Sequence, residues 1–451
     1  MQNKLMVSTS GIRGIVGAGL DSVTVARYAA AFGTLLKVGK IVVGRDTRPS
    51  GQPFKMAVIS ALRSVGIDVI DIGIVPTPTV EIAVPQLGAV GGICITASHN
   101  PSEWNALKLF DENGEFIDNK QLAELNELFA SGKFSFRKHN ELGSLEIDNS
   151  WIDRHIDQIL ELREIDKSAI KRIGLKVVVD AVNGAGSIAL PALLEKLGVQ
   201  VIRLNCDNDG NFVHKPEPVP ENLLMLSTAV KKYKADMGMA CDPDADRLAL
   251  VDKDGDPIGE ELTLALAVKC ILAKKPGDVV VNLSTSRVTQ DVALSAGVKI
   301  RYTPVGEANV IAGMKKYKAV IGGEGNGGVI LPKFHYGRDA LVGAAIIMSL
   351  MAQTRKRLSE LIGTLPIYHN IKHKASLPQG YEEKILEIER KALESFEHLK
   401  IDRRDGLRFD FERGWFQIRK SNTEPIYRLI IETDSSKLSA ILKKEITGIL
   451  K

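Results

Sequence analysis

The sequence predicts an α/β protein in which three related α/β domains with mixed sheets and a smaller C-terminal α+β domain surround a central cleft. Three observations lead to this fold class. The chain of 451 residues is long enough for about three or four domains. Valine-rich runs typical of buried parallel strands recur along it, each followed by the same order of helices and strands. Residues 367–451 lack that order, so we expect them to fold differently.

The recurring unit is a first strand, a helix, a second strand and a third strand. The first strands are KIVVGRD, LKVVVDA and GDVVVNL, which begin at Lys40, Leu175 and Gly277. A helix-ending glycine precedes each second strand, in GIDVIDIG, GVQVIRLN and GVKIRYTP. The third strands are GGICI, ADMGMA and KAVIGG. We therefore predict domains over residues 1–148, 149–252, 253–366 and 367–451.

The third strands run into three loops of unusual composition, TASHNP, CDPDADR and EGNGG. These loops fall at one equivalent place in the repeat, and ligands of parallel sheets bind beyond the carboxyl ends of the strands. We therefore expect the three loops to carry the function. After two of them, NALKLFDENGEFI and DRLALVDKDGDPI alternate around Asn-Gly and Asp-Gly turns, which predicts a β-hairpin in each copy.

The CDPDADR loop places Asp242, Asp244 and Asp246 at alternate positions. Three carboxylates this close repel one another unless a cation lies among them, and hard oxygen ligands favour Mg²⁺ or Ca²⁺. An EF-hand loop is excluded, because its sixth position would be Arg247 and its twelfth Lys253. Three ligands leave positions for water or a phosphoryl oxygen, which suits metal-assisted phosphoryl transfer.

The TASHNP loop sets Ser98 beside His99. A nucleophile elbow, G-x-S-x-G, is not encoded, because Thr96 and Asn100 occupy the glycine positions. Ser98 is therefore either activated by groups elsewhere in the chain or an ordinary serine in a turn.

The GGEGNGG loop offers an acceptor at Glu324 and an amide at Asn326 to hydroxyl groups. The next residues, VILPKF, have the pattern of a strand with a proline, so a dinucleotide fingerprint, which needs a helix there, is excluded. We expect a glycine backbone that lies close to a ligand, and a plain flexible loop is the alternative.

The stretch RKSNTEPIYR has the composition of a phosphate site. A guanidinium fork, short hydroxyl and amide donors and free backbone N–H groups suit phosphate oxygens, and an N-cap followed by a strand is the alternative. The candidate ligands are Arg419, Ser421, Asn422, Thr423 and Arg428. Near the N-terminus, Arg13 in TSGIRG and both Arg45 and Arg48 in GRDTRPSG lie beside the loops of the first repeat.

A competing interpretation rests on DAVNGAGSIA. Gly184, Gly186 and Ala189 satisfy G-x-G-x-x-A between a strand and a helix, and Asp207 follows about twenty residues on, as in a nucleotide-dependent dehydrogenase. Against it, the first glycine arrives late after the strand, and we expect Pro191 to interrupt the early helix.

Composition narrows the class of partner. The formal net charge is only +4 and the basic residues are dispersed, which argues against a nucleic-acid or membrane surface and leaves small anionic ligands. The four cysteines form no C-x-x-C pair, which argues against a zinc site or a disulfide framework and favours the reducing cytoplasm. The longest apolar stretch, residues 340–352, is too short to span a bilayer.

In this order and spacing, TASHNP, DPDADR, the GE-x-x-G loop and R-x-S-N-T-E-P together resemble the motifs of the α-D-phosphohexomutase superfamily. The resemblance covers essentially the whole chain, including the TSGIRG start and HKPEPVPEN from His214. It implies an enzyme that interconverts hexose 6-phosphate and 1-phosphate through a phosphoserine and a bisphosphate sugar intermediate, which also serves as activator.

The resemblance also implies a role for each matching residue. Ser98 would be the phosphoserine and would bind Mg²⁺ together with the three aspartates. Arg247 would support the phosphoserine, and His99 and Lys108 would lie next to the reacting hydroxyl, with Lys108 able to accept its proton if neighbouring cations depress the lysine pKa. Arg13 is a further catalytic candidate. Glu324 and Asn326 would bind the sugar. The distal phosphate would be bound by Arg419, Ser421, Asn422 and Thr423, and Arg428 is a further substrate-binding candidate.

Departures from the family pattern bear on the substrate. Asn326 stands where many members have serine, His335 lies downstream of the usual histidine, and Arg287 in STSR takes a position where relatives use another cation. This variant resembles the archaeal-type phosphoglucosamine mutase branch, so glucosamine phosphate is preferred over mannose or glucose phosphate. A non-catalytic sugar-phosphate-binding protein is the remaining alternative, and a monomer or a homodimer is expected.

Overall fold

The computed structural model describes residues 5–421 and 425–451, and this part of the chain contains four separate sheets. Asn422 and Thr423 lie outside the described residues. The first three sheets combine parallel and antiparallel pairs and have helices packed on them, whereas the fourth is antiparallel throughout. The predicted fold class is therefore confirmed.

The first sheet has seven strands over the described residues, in the order β1-β2-β6-β5-β3-β4-β7. Its strands are β1 (Met6–Ser8), β2 (Gly11–Ile15), β3 (Lys40–Arg45), β4 (Asp68–Ile74), β5 (Gly91–Ile95), β6 (Trp104–Phe110) and β7 (Leu145–Ile147). Its helices are α1 (Ser22–Leu36), α2 (Gly51–Ser64), α3 (Thr77–Gln86) and α4 (Asn119–Ser131). The parallel strands β3, β4 and β5 correspond to the first three strands of the repeat.

The second and third sheets repeat this core. The second part of the chain contains α5 (Trp151–Glu161), α6 (Lys167–Ile173), β8 (Lys176–Asp180), α7 (Gly186–Lys196), β9 (Gln200–Leu204), α8 (Leu224–Tyr233), β10 (Met237–Cys241) and β11 (Leu248–Asp252). The third contains α9 (Glu260–Lys274), β12 (Val279–Asn282), α10 (Arg287–Ser295), β13 (Ile300–Thr303), α11 (Glu307–Tyr317), β14 (Ile321–Glu324), β15 (Gly328–Ile330), α12 (Ala340–Thr354) and α13 (Leu358–Ile362). The orders β6-β5-β3-β4, β11-β10-β8-β9 and β15-β14-β12-β13 are the same, so the repeat read from the sequence is a structural repeat.

The two predicted hairpins form only in part. β6 and β11 pair antiparallel with the third strand of their repeat. Among the described residues, the limb after each turn is joined to β6 or β11 by one bridge, Phe110–Phe116 or Val251–Pro257, and by the backbone hydrogen bonds that flank it. Pro257 has no N–H group to extend a ladder. After Phe116 the chain turns into α4, whose first turn is capped by Asp118 and Gln121.

Residues 340–352, the longest apolar stretch, form most of α12, and each of them is buried. Their side chains join one continuous core with residues of the second and third sheets, so these two parts of the chain are packed on each other. No helix in the described part of the chain is long and apolar enough to cross a membrane.

The C-terminal part has its own core. It contains β16 (His369–Ser376), α14 (Tyr381–Ser395), β17 (Lys400–Asp402), β18 (Leu407–Phe411), β19 (Gly414–Lys420), β20 (Ile426–Thr433) and α15 (Ser436–Leu450), with the sheet order β16-β20-β19-β18-β17. The stacked rings of Phe409 and Phe416 lie at its centre. This cluster shares no residue with the other cores.

Candidate active site

The loops that follow β5 and β10 meet at the carboxyl ends of their strands. The Ser98 hydroxyl donates to Asp242 Oδ2 over 2.8 Å, although the two residues are 144 positions apart. Beside this contact, the Thr77 hydroxyl donates to Asp244 Oδ2 over 2.6 Å. Two motifs read separately from the sequence therefore form one buried site.

Ser98 is held in a constrained backbone conformation. Its φ of 49° lies in the left-handed region, which a serine adopts only when its surroundings hold it there. Its N–H donates to Thr96 Oγ1 over 2.9 Å, and the Thr96 hydroxyl donates to Asp46 over 2.7 Å. The serine side chain is thus fixed toward Asp242.

Arg48 holds the TASHNP loop and the residues after it in place through several hydrogen bonds. Its fully buried guanidinium donates to the backbone carbonyls of Ser98, Asn100, Pro101 and Trp104 and to the Asp46 carboxylate. The sequence placed Arg48 near the loop, but its role depends on burial, which the local sequence GRDTRPSG does not indicate.

The three aspartates of the CDPDADR loop, called the metal loop below, lie close together. Asp242, Asp244 and Asp246 are buried, and one oxygen from each lies within 4.8 Å of the others. Asp244 Oδ1 and Asp246 Oδ1 are buried and have no hydrogen-bond partner among the described residues. Buried carboxylate oxygens left over in this way fit a hard divalent cation.

The charges around the aspartates are unevenly balanced. Burial, together with Asp246 and Asp244, raises the pKa of Asp242 well above its ordinary value. Burial also acts to raise the pKa of Asp246, but Arg338, Lys108 and Arg247 outweigh it and hold that pKa below its ordinary value. An added cation would relieve the repulsion that raises the pKa of Asp242.

Lys108, on β6, lies beneath the metal loop. Its Nζ is 2.6 Å from Asp244 Oδ2 and 3.2 Å from Asp246 Oδ2. Burial would lower the lysine pKa, but these two carboxylates raise it above its ordinary value. Lys108 was expected to accept a proton only if neighbouring cations lowered its pKa. Among the described residues this condition is not met, because the nearest charged neighbours of Lys108 are the anions Asp244 and Asp246.

His99, Arg247 and Arg13 surround the opposite side of Ser98. The His99 Nδ1 lies 3.3 Å from Ser98 Oγ, and burial together with Arg247 and Arg13 lowers the His99 pKa well below its ordinary value. Glu217 of the HKPEPVPEN stretch lies 3.6 Å from Arg247 and 4.0 Å from His99. Because its pKa is lowered, the His99 imidazole is neutral at neutral pH.

Arg13 supports the serine loop from β2. Its Nη1 donates to Asn100 Oδ1 over 2.6 Å. Burial lowers the Arg13 pKa to about 10, which leaves the guanidinium charged at neutral pH.

Glu324, the candidate in the GGEGNGG loop (called the sugar loop below), is the last residue of β14 and is buried. Its Oε1 accepts from Asn282 Nδ2 over 2.7 Å and from the Gly306 N–H over 3.1 Å. Its Oε2 accepts from Arg338 over 2.7 Å, and the Asn326 amide lies 3.5 Å away. Glu324 and Asn326 are thus side by side, next to an arginine that the sequence had not indicated.

The glycines of this loop make room for protein atoms. A Cβ on Gly327 would lie 2.4 Å from the Leu248 carbonyl oxygen, and one on Gly325 would lie 2.0 Å from Glu261 Oε2. The Gly327 carbonyl accepts from the Leu248 N–H over 3.0 Å. These glycines bring the loop against Leu248 of β11 and Glu261 of α9, and the expected approach of their backbone to a ligand stays a prediction.

The C-terminal candidates lie on adjacent strands. Arg419 of β19 is directly opposite Arg428 of β20, and Arg428 is opposite Lys374 of β16. Burial lowers the Arg419 pKa, and the nearby charges of Asp405, Arg428 and Glu324 also act on it. Three cationic residues therefore lie in one row across the sheet, and Ser421 follows directly after β19.

Arg287 and His335 have other partners. Arg287 Nη1 donates to the carbonyls of Phe411 and Glu412, and its N–H donates to Glu432 Oε1. The Arg287 side chain joins the third part of the chain to the C-terminal part, and its correspondence to a cation of the relatives stays a prediction. His335 Nε2 lies 3.2 Å from Asp339 Oδ2.

The G-x-G-x-x-A stretch serves packing. A Cβ on Gly184 would lie 2.5 Å from Pro243 Cα, and one on Gly186 would lie 2.4 Å from Cys241 Sγ. α7 continues through Pro191, so the predicted interruption, which had counted against a dehydrogenase, was wrong. These glycines let the metal loop approach the helix, which removes the sequence argument for a dehydrogenase.

Comparison with known proteins gives one result along the whole chain. Residues 4–136 match the model described as "Phosphoglucomutase/phosphomannomutase, alpha/beta/alpha domain I". Residues 153–255 and 259–368 match domains II and III of the same description, and residues 381–449 match its C-terminal domain.

Individual relatives and solved structures match over nearly their full length. A phosphoglucomutase/phosphomannomutase of Thermococcus kodakarensis is 40% identical over 442 residues, which is 96% of this chain and 95% of the relative. A probable phosphoglucosamine mutase of Methanopyrus kandleri is 36% identical, covering 98% and 97%. The crystal structure of a phosphoglucomutase/phosphomannomutase family protein from Burkholderia thailandensis superimposes with a TM-score of 0.86 at 28% identity, covering 99% and 98%.

Proposed function

We infer the roles of the site residues from one premise: the chain belongs to the phosphoglucomutase/phosphomannomutase family. It is a phosphohexomutase, an intramolecular phosphotransferase that interconverts hexose 6-phosphate and 1-phosphate. We propose that Ser98 carries the phosphoryl group. The observation that carries this proposal is the 2.8 Å contact between Ser98 and Asp242, which places the serine hydroxyl at the acidic triad.

Ser98, Asp242, Asp244 and Asp246 are the residues that would hold Mg²⁺. The two carboxylate oxygens without partners among the described residues support this assignment. When bound, Mg²⁺ supplies positive charge to the oxygens of the transferring phosphoryl group.

The side chains around Ser98 position the group and neutralise its charge. Arg247 and Arg13 supply fixed positive charge, and the neutral His99 is within 3.3 Å of the serine oxygen. A loose phosphoryl-transfer transition state needs positioning and charge stabilisation more than a strong nucleophile, so Ser98 requires no paired base. Lys108 keeps Asp244 and Asp246 in place beside the reacting hydroxyl.

The remaining candidates would bind the substrate. Glu324 and Asn326 would contact sugar hydroxyls, and Arg419 and Arg428, with Ser421, Asn422 and Thr423, would bind the distal phosphate. The row formed by Arg419, Arg428 and Lys374 supports this assignment, because guanidinium and ammonium groups donate charge-assisted hydrogen bonds to phosphate oxygens. A sugar bisphosphate would then be held at both ends while it changes orientation.

We propose glucosamine phosphate as the preferred hexose, with mannose or glucose phosphate as the alternative. Asn326 in place of serine supports this choice. The Methanopyrus relative bears the name phosphoglucosamine mutase, whereas the Thermococcus relative is named for glucose and mannose phosphates. The free cysteines fit a reducing compartment, which supports a cytoplasmic enzyme.

A side-by-side assay tests this proposal. The wild-type enzyme, Mg²⁺ and a trace of the matching bisphosphate are given the 1-phosphates of glucosamine, glucose, mannose and N-acetylglucosamine, and kcat/KM is compared. We expect the largest value for glucosamine 1-phosphate; a larger value for mannose or glucose 1-phosphate contradicts the substrate assignment. The Ser98→Ala variant should have no turnover but retain sugar-phosphate binding by calorimetry, and comparable turnover in that variant contradicts the phosphoserine.

A further inference from the structure

We propose that Arg338 is a positioning residue that holds the metal-binding carboxylate of Asp246 and the sugar-binding carboxylate of Glu324 at a fixed separation. This inference rests on the proposed function, because it takes the roles of these two carboxylates from there. Arg338 lies just before α12 and outside all four sequence motifs.

One guanidinium spans the two sites. Arg338 Nη2 donates to Asp246 Oδ2 and Nη1 donates to Glu324 Oε2, each over 2.7 Å. The side chain is only 10% exposed, so water weakens these charged hydrogen bonds little. The planar fork fixes the distance between its two nitrogens, and therefore the distance between the carboxylates.

Arg338 is itself held in place. Its N–H donates to Glu307 Oε1 over 2.7 Å, and Glu307 Oε2 lies 3.2 Å from its Nε. The following residue, Asp339, caps the first turn of α12. A Cβ on Gly328 would lie 2.3 Å from Arg338 Cδ, so the glycine that ends the GGEGNGG loop provides space for the arginine stem.

This arrangement determines which carboxylate oxygens remain for ligands. Arg338 and Lys108 both donate to Asp246 Oδ2, whereas Asp246 Oδ1 has no hydrogen-bond partner in the described part of the chain. Partners of a ligating carboxylate typically affect metal affinity by 10–100-fold. On the sugar side, Arg338 fixes one oxygen of Glu324 while Asn282 and Gly306 fix the other.

A fixed separation matters because the sugar must bind in two orientations: the hexose phosphate accepts the phosphoryl group from Ser98, and the reoriented bisphosphate returns its other phosphate to Ser98. Misplacement by about 1 Å can lower a rate about 100-fold. Arg338 would therefore give both orientations the same geometry relative to the metal site.

The test uses full-length Arg338→Lys and Arg338→Met. Lysine keeps the charge but cannot donate to both carboxylates in the same planar geometry, and methionine removes both contacts while filling similar space. Mn²⁺, a spectroscopically visible substitute for Mg²⁺, is titrated and free Mn²⁺ is counted by electron paramagnetic resonance. KM and kcat are measured in both directions. We expect the Mn²⁺ Kd to rise about 10–100-fold in both variants, and the KM values for the 1-phosphate and the 6-phosphate to rise together.

Arg301→Lys and Arg301→Met are the matched controls, because Arg301 pairs with Asp278 at 3.1 Å in the same domain and away from the site. Both control variants should have the same Mn²⁺ Kd and the same KM as the wild type. Thermal unfolding is measured for each variant, and the lysine variant carries the test if the methionine variant does not fold. Unchanged Mn²⁺ affinity, or a changed Mn²⁺ affinity with unchanged KM, overturns the inference. Failure of the wild type to bind Mn²⁺ instead contradicts the proposed metal site.

Discussion

At the scale of single residues, the site depends on buried charges that come from distant parts of the sequence. Asp244, for example, accepts from Thr77 and Lys108 of the first domain. Removing one partner of such a buried pair leaves the other charge without compensation, which costs several kcal/mol. The electrostatics of the site therefore depend on the contact between the first two domains.

Arg419→Ala should chiefly weaken substrate binding. Loss of one charge-assisted contact to phosphate is expected to cost about 1.5–3 kcal/mol in hexose-phosphate affinity, because a hydrogen bond to a charged group is worth that much. Calorimetric titration of the variant with glucosamine 6-phosphate measures this loss.

The matched control is Arg413→Ala, on the turn before the same strand, where Arg413 is exposed and pairs with Asp434 at 2.9 Å. That variant should bind like the wild type. An affinity of Arg419→Ala equal to that of Arg413→Ala contradicts the phosphate assignment.

The sequence predicted residues whose chemistry is visible in a short motif. Asp242, Asp244 and Asp246 were identified because three close carboxylates need a cation, and the structure places them together. Arg48 and Arg338 act through burial and through partners up to 92 positions away, which no local pattern shows. For the same reason the charged neighbours of Lys108 were predicted incorrectly.

At the scale of elements, three repeats of one strand order bring the third-strand loops to equivalent sheet ends. This was predictable because buried parallel strands are continuous apolar runs and the helix ends carry glycine. The short second limbs of the two hairpins were not predictable, because turn residues predict a reversal of the chain but do not show how far the ladder extends beyond the turn.

Gly184→Ala should displace the metal loop. The new Cβ would lie 2.5 Å from Pro243 Cα and 2.6 Å from its carbonyl oxygen, and backbone atoms cannot move aside like a flexible side chain. We expect overpacking to lower the free energy of unfolding by about 1–3 kcal/mol and Mn²⁺ affinity to fall. Thermal unfolding and Mn²⁺ titration measure the two effects.

Gly448→Ala is the control, because Gly448 lies in α15 and no heavy atom of the described residues lies within 4 Å of the added Cβ. Replacing a helical glycine with alanine there should stabilise the protein by up to about 1 kcal/mol. Equal stability and metal affinity in the two variants contradict the packing role of Gly184.

At the scale of the whole molecule, the C-terminal domain has a separate core and makes several polar contacts with the third domain. Lys372 of β16 lies 2.6 Å from Glu260 and 3.2 Å from Glu261 of α9, and Arg408 donates to the Leu283 carbonyl. Polar interfaces of this kind permit relative motion of domains. The separate domain could be predicted because residues 367–451 lack the repeated order of strands and helices. The contacts with the third domain could not be predicted, because they join residues far apart in the chain.

Glu261 makes this interface sensitive to pH. Burial raises its pKa from 4.5 to about 7, although Lys372 acts in the opposite direction. Because the folded pKa lies above the unfolded one, the stabilisation is complete below about pH 4.5 and is lost as the pH rises through 7. The loss amounts to about 3 kcal/mol.

Thermal unfolding of the wild type, Glu261→Gln and the exposed control Glu397→Gln is therefore compared at pH 5 and pH 8. The decrease in stability between these pH values should be smaller in Glu261→Gln than in the other two proteins. The same decrease in all three proteins rules out this role for Glu261.

Mass spectrometry of Ser98 tests the central claim most directly. The wild-type enzyme is incubated with Mg²⁺ and glucose 1,6-bisphosphate, digested, and the peptide that contains TASHNP is analysed before and after addition of excess hexose 6-phosphate. The proposed function predicts one phosphate on Ser98 that is transferred to the sugar in the second step. An enzyme that turns over substrate while Ser98 remains unphosphorylated would contradict it.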